Sequence, residues 1–399
     1  MKFFINSYFG DNQSIGLLSH IKKRLPYGMD DQWMVFSHYT ERGWTVDNLW
    51  HIFTDFYGGQ YAPLAFLSYL VLYAGFGYDP FYFHMFSLLL HIGCVCLVWK
   101  LISSLLRVHG GVSEKQILYV NFITTLLFAV HPINVEAVAW ISALKVLLYA
   151  FFYLLGLLCY LRYIRTSKIF YYVLTIGCFL CSFWGKEQAV TFPLALLIVD
   201  WFTNRNMKNL EVWSEKMSFL IMAFFFGIIT VLSQGKGPYE MIFPLYQRLL
   251  FGCFALVEYI TKSLLPVNLN FFYPFPIVLG EEPPLHYYLY PVVLLFLMGW
   301  IIAYRNNRYL VFGVLLFLVN LLFSIHLFNM SRHAIVADRY MYLSYVGIAF
   351  LIANGIWWLR KRLSYFKAAL VFLFFYCFFL SVYTFHYTKK WENTTMVKK

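Results

Sequence analysis

The sequence has few charged residues. Only 13% of its 399 residues are Asp, Glu, Lys or Arg, whereas soluble domains contain about a quarter. Hydrophobic residues make up 61% of the chain, and this excludes an ordinary soluble globular protein. The mean hydropathy is +0.64. Apolar runs alternate with short basic clusters, a pattern typical of a helical membrane protein with several spans.

The sequence also lacks a disulfide framework and a nucleotide-binding glycine motif. All seven cysteines lie inside apolar stretches, and the CxxC of Cys178 and Cys181 has no further His or Cys ligand set nearby. Packing therefore explains these cysteines better than redox chemistry or zinc binding, and we predict no metal site from them. Without a nucleotide site, an enzyme of this kind must take an activated substrate from another source, such as a lipid carrier.

Acidic residues are fewer than basic ones. The 31 Lys and Arg against 19 Asp and Glu give a net charge of +12, which in a soluble protein would suggest nucleic acid. Here the basic residues fall in short loops between apolar runs, as the positive-inside rule describes for cytoplasmic loops. We therefore interpret the charge as membrane topology and predict no nucleic-acid partner.

Ten apolar segments approach the roughly 20 residues that a spanning helix needs. They lie near 81–106, 117–130, 141–163, 169–185, 188–203, 217–234, 285–304, 309–325, 342–358 and 368–386. The short segment 117–130 could continue into the one after it. The run 249–266 is ambiguous, but the short basic loops share one side of the membrane only if it does not cross. We therefore predict an interfacial or re-entrant helix there.

This topology divides the chain into an N-terminal segment 1–27, a first extracytoplasmic loop 28–80, a transmembrane core 81–388 and an extracytoplasmic tail 389–399. Residues 1–27 contain no run able to span, so we expect that a first spanning helix is missing from them, in preference to insertion by another route. In the first loop, Val46, Leu49, Trp50 and Phe53 recur at helical spacing. They predict an amphipathic helix lying flat at the headgroup level.

Two adjacent acids, Asp30 and Asp31, follow a Pro and Gly turn in the first loop. A pair of carboxylates at this position suggests a general base or a cation site. The alternative is that the acids cap a helix N-terminus, where negative charge is favourable without any catalysis.

A second charged set lies at predicted membrane boundaries. His131 and Glu136 occur in HPINVEAVAW, and Lys145 follows in the next helix. Charged groups at this depth are costly unless they are paired or solvated, so each is a candidate functional residue. The alternative is a structural ion pair between Glu136 and Lys145.

Two further motifs join the end of one span to the start of the next: FWGKEQ with Lys186 and Glu187, and IVADRY with Asp338 and Arg339. Local ion pairing is the simpler interpretation. The sharper hypothesis is that basic side chains of the later loops converge on an anionic phosphate, for which Arg offers a bidentate fork and Lys a point charge. These basic residues are Lys145, Lys186, Arg332 and Arg339.

Taken in order along the chain, these motifs resemble the integral-membrane glycosyltransferases of the GT-C fold, and within them the transmembrane-and-tetratricopeptide O-mannosyltransferase-like group. The motifs are DDQW, YAPLAFLSYLVLYAGFGYDPFYFHMFSLLLH, FAVHPINVEAVAWISALK, GKEQAVTFPLALLIVDW, EYITKSLLPVNLNFFYPFP, VADRYMYLSYVGI and KKWENT. The resemblance implies an all-α polytopic membrane protein, a GT-C-type helical bundle with extracytoplasmic loops and interfacial helices.

The resemblance also implies a reaction. A sugar, most simply a mannose-like hexose, would pass from a polyprenyl-phosphate carrier to an acceptor hydroxyl on the extracytoplasmic side, usually with inversion. The acceptor would be a protein Ser or Thr, or a glycan. Asp30 would match the base, Asp31 would assist or orient the acceptor, and the later basic residues would hold the carrier phosphate. We expect a bacterial inner membrane protein surrounded by membrane lipids. A divalent metal is an open alternative, because an acidic pair supplies only part of a metal's ligand shell.

Departures from the family pattern leave two rivals. The missing first helix makes an inactive membrane scaffold a credible alternative. A transporter or flippase for a lipid-linked sugar is the other, although it would favour inverted repeats and polar breaks at the midplane, which the sequence does not show. The tetratricopeptide repeats that often follow the final Trp motif are also absent, so acceptor recognition could belong to a separate partner.

Overall fold

The computed structural model describes residues 31–234, 243–327 and 334–391, without the side chains of Gln32 and Gln234. Within these ranges every regular element is helical, apart from isolated bridges between Tyr57 and Gln60 and between Tyr273 and Val336. The all-α prediction is therefore confirmed. Asp30 and Arg332, and the tail beyond residue 391, lie outside the described residues.

Sixteen α-helices follow one another along the described chain. They are α1 Asp31–Met34, α2 His38–Glu41, α3 Val46–Thr54, α4 Pro63–Phe76, α5 Pro80–His109, α6 Glu114–Val130, α7 Val135–Ala139, α8 Leu144–Thr166, α9 Ile169–Gly185, α10 Phe192–Phe202, α11 Leu210–Gln234, α12 Leu245–Leu264, α13 Leu289–Ala303, α14 Arg308–Leu321, α15 Met341–Leu359 and α16 Leu363–Lys390. Short 3-10 turns precede several of them, at Pro132–Asn134, Ile141–Ala143, Glu187–Thr191, Leu285–Tyr288 and Asp338–Tyr340.

Six stretches of the described chain are helical, long and apolar enough to cross a membrane: Pro80–His109, Ile141–Thr166, Leu210–Ser233, Leu285–Ala303, Asp338–Leu359 and Leu363–Lys390. A seventh is formed by α6 together with Pro132–Ala139, bent by 51° at the break between them. Pro132 explains the break, because proline cannot continue the hydrogen-bond ladder of a helix. The chain is therefore a multi-pass membrane protein. Segment 117–130 continues past its break only as far as Ala139, and the next predicted segment, 141–163, forms a separate span.

Helix α8 lies at the centre of the bundle. In its span, 78% of the most apolar window is buried inside the protein, against 6% for the span of α13. It packs closely against α9, where an added Cβ at Gly185 would lie 2.7 Å from the Tyr149 backbone nitrogen. A second close approach joins α14 and α15, where an added Cβ at Gly347 would lie 2.5 Å from the Gly313 carbonyl oxygen. These glycines let the helix backbones meet.

Helix α12 lies across one end of the bundle. In its first turn, the Gln247 amide donates to the Glu281 carbonyl at 2.8 Å, just before α13 begins. In its last turn, Lys262 lies 4.0 Å from Asp338, where α15 begins. Helices α13 and α15 start on the same side because α14 returns the chain between them. Both ends of α12 therefore contact one end of the bundle, as expected if 249–266 does not cross.

The first predicted loop, 28–80, is largely helical. It contains α4, a 14-residue apolar helix that was not predicted and whose Tyr69 hydroxyl donates to the Ile141 carbonyl at 2.9 Å. Helix α3 forms where the spacing predicts it, but its faces differ from the prediction. Trp50 is 68% exposed, whereas Phe53 packs inward on the cluster beneath α3. Asn48 lies on the inward side of α3, where its buried amide donates to the carbonyls of Tyr39 in α2 and of Gly43.

Candidate functional site

The charged motifs of the sequence meet at one end of the bundle, which we call the Glu136 end. Here α6 and α9 finish and α8, α10 and α15 begin. The opposite end, where α10 finishes and α11 begins, we call the Lys216 end. The later candidates meet here because they lie at or beside the breaks between a helix that arrives at the Glu136 end and one that leaves it, whereas Asp31 reaches this end from the first predicted loop.

Glu136 and Arg339 form a buried ion pair. Glu136 is fully buried, and its Oε2 accepts the Arg339 backbone N–H at 2.7 Å while Oε1 pairs with the guanidinium. The guanidinium carbon lies 5.2 Å from the ring centres of both Trp140 and Tyr340. The predicted pair of Glu136 with Lys145 is therefore wrong, because Arg339 occupies both oxygens of the carboxylate.

Asp31 bonds to a distant segment. It is 2% exposed, and its Oδ1 accepts the Ser142 backbone N–H at 3.0 Å and the Ser142 hydroxyl. Ser142 is itself 1% exposed, in the 3-10 turn that leads into α8. The carboxylate thus joins the first loop to the turn before α8, which local helix capping alone would not do.

Lys145 lies on the same side as Asp31. Its ammonium donates to the Gln60 side-chain oxygen and approaches the Met34 sulfur at 3.7 Å. Both partners belong to the first predicted loop. Lys145 therefore accompanies the acidic side of the site, and its described partners differ from those of Arg339.

Asp338 and Arg339 are adjacent in sequence but bond to different partners. Both oxygens of the fully buried Asp338 accept from the Tyr273 hydroxyl at 3.1 Å. That hydroxyl accepts from the Lys262 ammonium at 2.8 Å. Burial, and then the Asp338 charge, raise the pKa of Tyr273, so it stays a hydroxyl donor. The local Asp338–Arg339 pair that was the simpler prediction is replaced by these contacts.

Lys186 lies beside Arg339. It is 2% exposed, and its ammonium is 4.7 Å from the centre of the Tyr340 ring, which the Arg339 guanidinium also borders. Two of the four predicted phosphate-binding cations thus border the same aromatic ring. Glu187 is half-buried, and no residue in the described ranges forms an ion pair with its carboxylate.

His131 is part of the packed core below the site. It is 1% exposed, and its ring centre lies 4.2 Å from that of Tyr345. Its Nδ1 accepts the Ile133 backbone N–H at 3.2 Å and so caps the 3-10 turn after the helix break. The structure gives His131 a role in shaping the break, whereas the sequence suggested a substrate contact.

One stretch, residues 135–142, connects both sides of the site. Glu136 near its start holds Arg339, and Ser142 at its end holds Asp31. Sequence reasoning missed Ser142, Lys262, Tyr273 and Gln60 as site residues. The first three lie within the recognised motifs VEAVAWISALK and EYITKSLLPVNLNFFYPFP, so motif membership was their only signal. Gln60 had no such signal.

No group of three or more His, Cys, Asp or Glu placed to hold a metal occurs in the part of the chain that the structure describes. The acids there bond to hydroxyl, amide and cationic donors. These hydroxyl, amide and cationic groups can donate hydrogen bonds to a carboxylate or to an anionic ligand.

No family model matches the chain, and no solved structure matches it. The chain is similar to Protein O-mannosyl-transferase TMTC2 of Mus musculus, at 32% identity over 189 residues, which is 43% of this chain and 21% of that protein. It is also similar to Protein O-mannosyl-transferase TMTC1 of Homo sapiens, at 29% identity over 40% of this chain and 20% of the relative. Protein O-mannosyl-transferase Tmtc3 of Drosophila melanogaster is 28% identical over 38% of this chain and 18% of the relative.

These relatives confirm the predicted resemblance to the O-mannosyltransferase-like group. The matched region spans about a fifth of the length of these curated relatives. All three come from animals, so the expected bacterial inner membrane is not supported.

Proposed function

We propose that this protein is a membrane glycosyltransferase that moves a hexose, most simply mannose, from a polyprenyl-phosphate carrier to a Ser or Thr hydroxyl of a protein. The names of the similar proteins support the sugar and the protein acceptor. A many-span fold supports a donor that itself resides in the bilayer. The positive-inside parity of the basic loops supports a site on the extracytoplasmic face.

The reaction is an in-line displacement with inversion at the anomeric carbon. The acceptor oxygen forms a bond to this carbon while the bond from the carbon to the phosphate oxygen breaks. Asp30 takes the hydroxyl proton, a contribution of about 10²–10⁴-fold for a positioned general base. The carrier leaves as polyprenyl phosphate with both electrons of the broken bond.

Arg339 and Lys186 meet the charge that develops on the phosphate, and Arg332 is proposed to join them. Arg339 lies against two aromatic rings and keeps a fixed orientation through Glu136. Such preorganised donors stabilise a leaving anion in a partly dehydrated site, commonly the largest electrostatic contribution to catalysis. We assign Asp31 and Lys145, together with Asp30, to the acceptor side of the site.

One observation carries the proposal. The stretch 135–142 joins a carboxylate of the acidic pair to the arginine proposed for the phosphate. A carboxylate next in sequence to the proposed base and a phosphate-binding cation, both held by one short stretch of backbone, fit a transfer between an acceptor hydroxyl and a phosphate-linked sugar.

The test uses the purified protein in lipid nanodiscs, with mannosyl-phospho-polyprenol labelled in the sugar and an unfolded Ser/Thr-rich acceptor protein. We expect label in the acceptor protein from the wild type and loss of that signal in Asp30→Asn. A parallel reaction with a chelator decides whether a divalent metal takes part. Glycan acceptors and other polyprenyl-phosphate hexoses in further reactions define the specificity. Added extracts test for a separate acceptor-recognition partner.

Two outcomes would contradict the proposal. Movement of labelled lipid across a vesicle bilayer without label in any acceptor would indicate the transporter alternative. Binding of neither donor nor acceptor by a well-folded protein would indicate the scaffold alternative.

A further inference from the structure

Ser142 is the described residue that fixes the Asp31 carboxylate to the helical core. Both of its donors, the backbone N–H and the hydroxyl, bond to the same oxygen of Asp31. The two residues are 111 positions apart in sequence, so this contact is one of those that dock the first loop on the bundle. The turn that carries Ser142 is held in turn by Tyr69, whose hydroxyl donates to the Ile141 carbonyl at 2.9 Å.

Asp30 is joined to Asp31 by one peptide bond. The two donors hold the Asp31 carboxylate against the core one residue after the proposed base. Asp31 is 2% exposed and bonded to the core, which suits an anchor better than a group that must exchange protons with a substrate.

Glu136 fixes the other side of the site. It holds Arg339 through the backbone N–H and through the guanidinium, which defines both the position and the orientation of that side chain. Glu136 and Ser142 therefore anchor two different groups from one stretch of backbone that contains α7 and the following 3-10 turn.

From these contacts we infer that Ser142 is a positioning residue for the acidic pair, acting through Asp31. The stretch 135–142 then divides two tasks, turnover at its Ser142 end and donor binding at its Glu136 end. This inference rests on the proposed function and deepens it, because it assigns separate roles to the two acids. Asp31 anchors, and Asp30 accepts the proton.

The experiment measures kcat and the KM for mannosyl-phospho-polyprenol. Ser142→Ala removes one donor, and we expect kcat to fall by about 10–100-fold, the cost of a base misplaced by about 1 Å. The KM should change by less than about twofold, because this change leaves the contacts of Arg339 intact. Ser142→Thr keeps the hydroxyl and should recover most of the activity.

Ser182→Ala is the matched control. Ser182 is also fully buried, and its hydroxyl donates to the Tyr149 carbonyl at 2.9 Å. It therefore reports the effect of losing a buried serine hydroxyl away from the acidic pair. Equal losses of kcat in Ser142→Ala and Ser182→Ala would overturn the inference.

A double-mutant cycle tests the route through Asp31. Adding Ser142→Ala to Asp31→Asn should lower kcat little further, whereas adding it to Arg339→Lys should multiply the two effects. If Ser142→Ala and Asp31→Asn multiply, Ser142 does not act through Asp31 and the inference is wrong.

A double-mutant cycle measured by thermal unfolding distinguishes a failure of this inference from a failure of the proposed function. If the wild type transfers no sugar from any donor, the proposed function and the positioning role fail together. The thermal unfolding midpoints of Asp31→Asn, Ser142→Ala and the double variant still report the anchor. Non-additive midpoints would confirm the anchor in an otherwise inactive protein, whereas additive midpoints would exclude it.

Discussion

The two ends of the bundle hold buried charges in different ways. At the Lys216 end, buried acidic side chains form ion pairs with basic ones. Lys216, fully buried, lies 2.5 Å from an oxygen of the fully buried Asp200, and Arg205 bonds both oxygens of Glu215 at 2.6 and 2.9 Å. Tyr160 donates to both oxygens of Asp200 at 2.8 Å. Two acids and two bases thus form one network that joins α8, α10 and α11.

At the Glu136 end, most described contacts join a charge to a neutral group. Asp31 accepts from the Ser142 N–H and hydroxyl, and Lys145 donates to the Gln60 amide oxygen. Lys186 borders the Tyr340 ring. Such contacts fix the position of a charge through neutral groups, beside the ion pair of Glu136 and Arg339.

From this difference we expect substitutions at the two ends to affect stability and activity to different degrees. In a network of opposite charges each buried ion has a counter-ion, and the network links the helices that carry them. Removing one member leaves a buried charge without its partner. Under the proposed function, the charged groups at the Glu136 end are positioned for a substrate. Substitutions at the Glu136 end should therefore change turnover or donor binding most, and those at the Lys216 end should change stability most.

The largest effect is expected at the acidic pair. Asp30→Asn keeps the shape and removes the proton acceptor, so turnover should fall by about two to four orders of magnitude. Donor binding should change little, because the lost interaction develops in the transition state. The measurement is initial-rate transfer of labelled mannose together with donor affinity. Near-normal turnover would reject Asp30 as the base, and a larger loss in Asp31→Asn would move the base by one residue.

Lys216→Met should give the largest loss of stability. It leaves Asp200 buried without its closest cation, at an expected cost of about 3–5 kcal/mol in the free energy of unfolding. Thermal unfolding in detergent measures this loss, and the exposed Lys208→Met is the matched control. The protein that remains folded should keep a normal kcat. A strongly reduced kcat in that folded fraction would contradict the division between the two ends.

Arg339→Lys should weaken donor binding. Lys keeps the charge but loses the planar fork, so we expect the affinity for the lipid-linked sugar to fall about tenfold, which corresponds to about 1.4 kcal/mol. Arg308→Lys is the control, because the Arg308 guanidinium donates to the Trp201 carbonyl at the Lys216 end. Unchanged donor affinity in folded Arg339→Lys and Arg339→Ala would reduce Arg339 to an ion-pair partner of Glu136.

A loss of stability smaller than that of Lys216→Met is expected for Tyr273→Phe. It removes the hydroxyl between Lys262 and Asp338 and leaves buried groups short of a partner, at an expected cost of about 1–3 kcal/mol. Unfolding curves measure the cost, and Tyr304→Phe, at an exposed tyrosine, is the control. A stability equal to that of the control would mean that Lys262 and Asp338 pair directly once the hydroxyl is gone.

The sequence predicts the helices well and the contacts between them poorly. Each predicted span contains a described helix, because length and hydropathy are local properties. The partners of Glu136 and Asp31 lie 203 and 111 residues away, at Arg339 and Ser142. No local pattern records such pairings, so the ion pair with the nearer Lys145, the alternative that the sequence offered for Glu136, does not form. Helix α4 was missed because its apolar residues lie in a segment that the charge parity placed in a loop.

The bend after α6 has a consequence for the depth of the site. A broken helix exposes carbonyl groups that hydrocarbon cannot solvate, but here side chains replace the missing partners. The Phe128 carbonyl accepts from the Asn134 amide at 2.7 Å, and the Val130 carbonyl accepts from the Thr384 hydroxyl of α16 at 2.8 Å. The irregular backbone that leads to Glu136 is therefore insulated from the acyl chains. A polar reaction centre can lie below the headgroups, level with the first carbons of a carrier lipid, without thinning the bilayer around it.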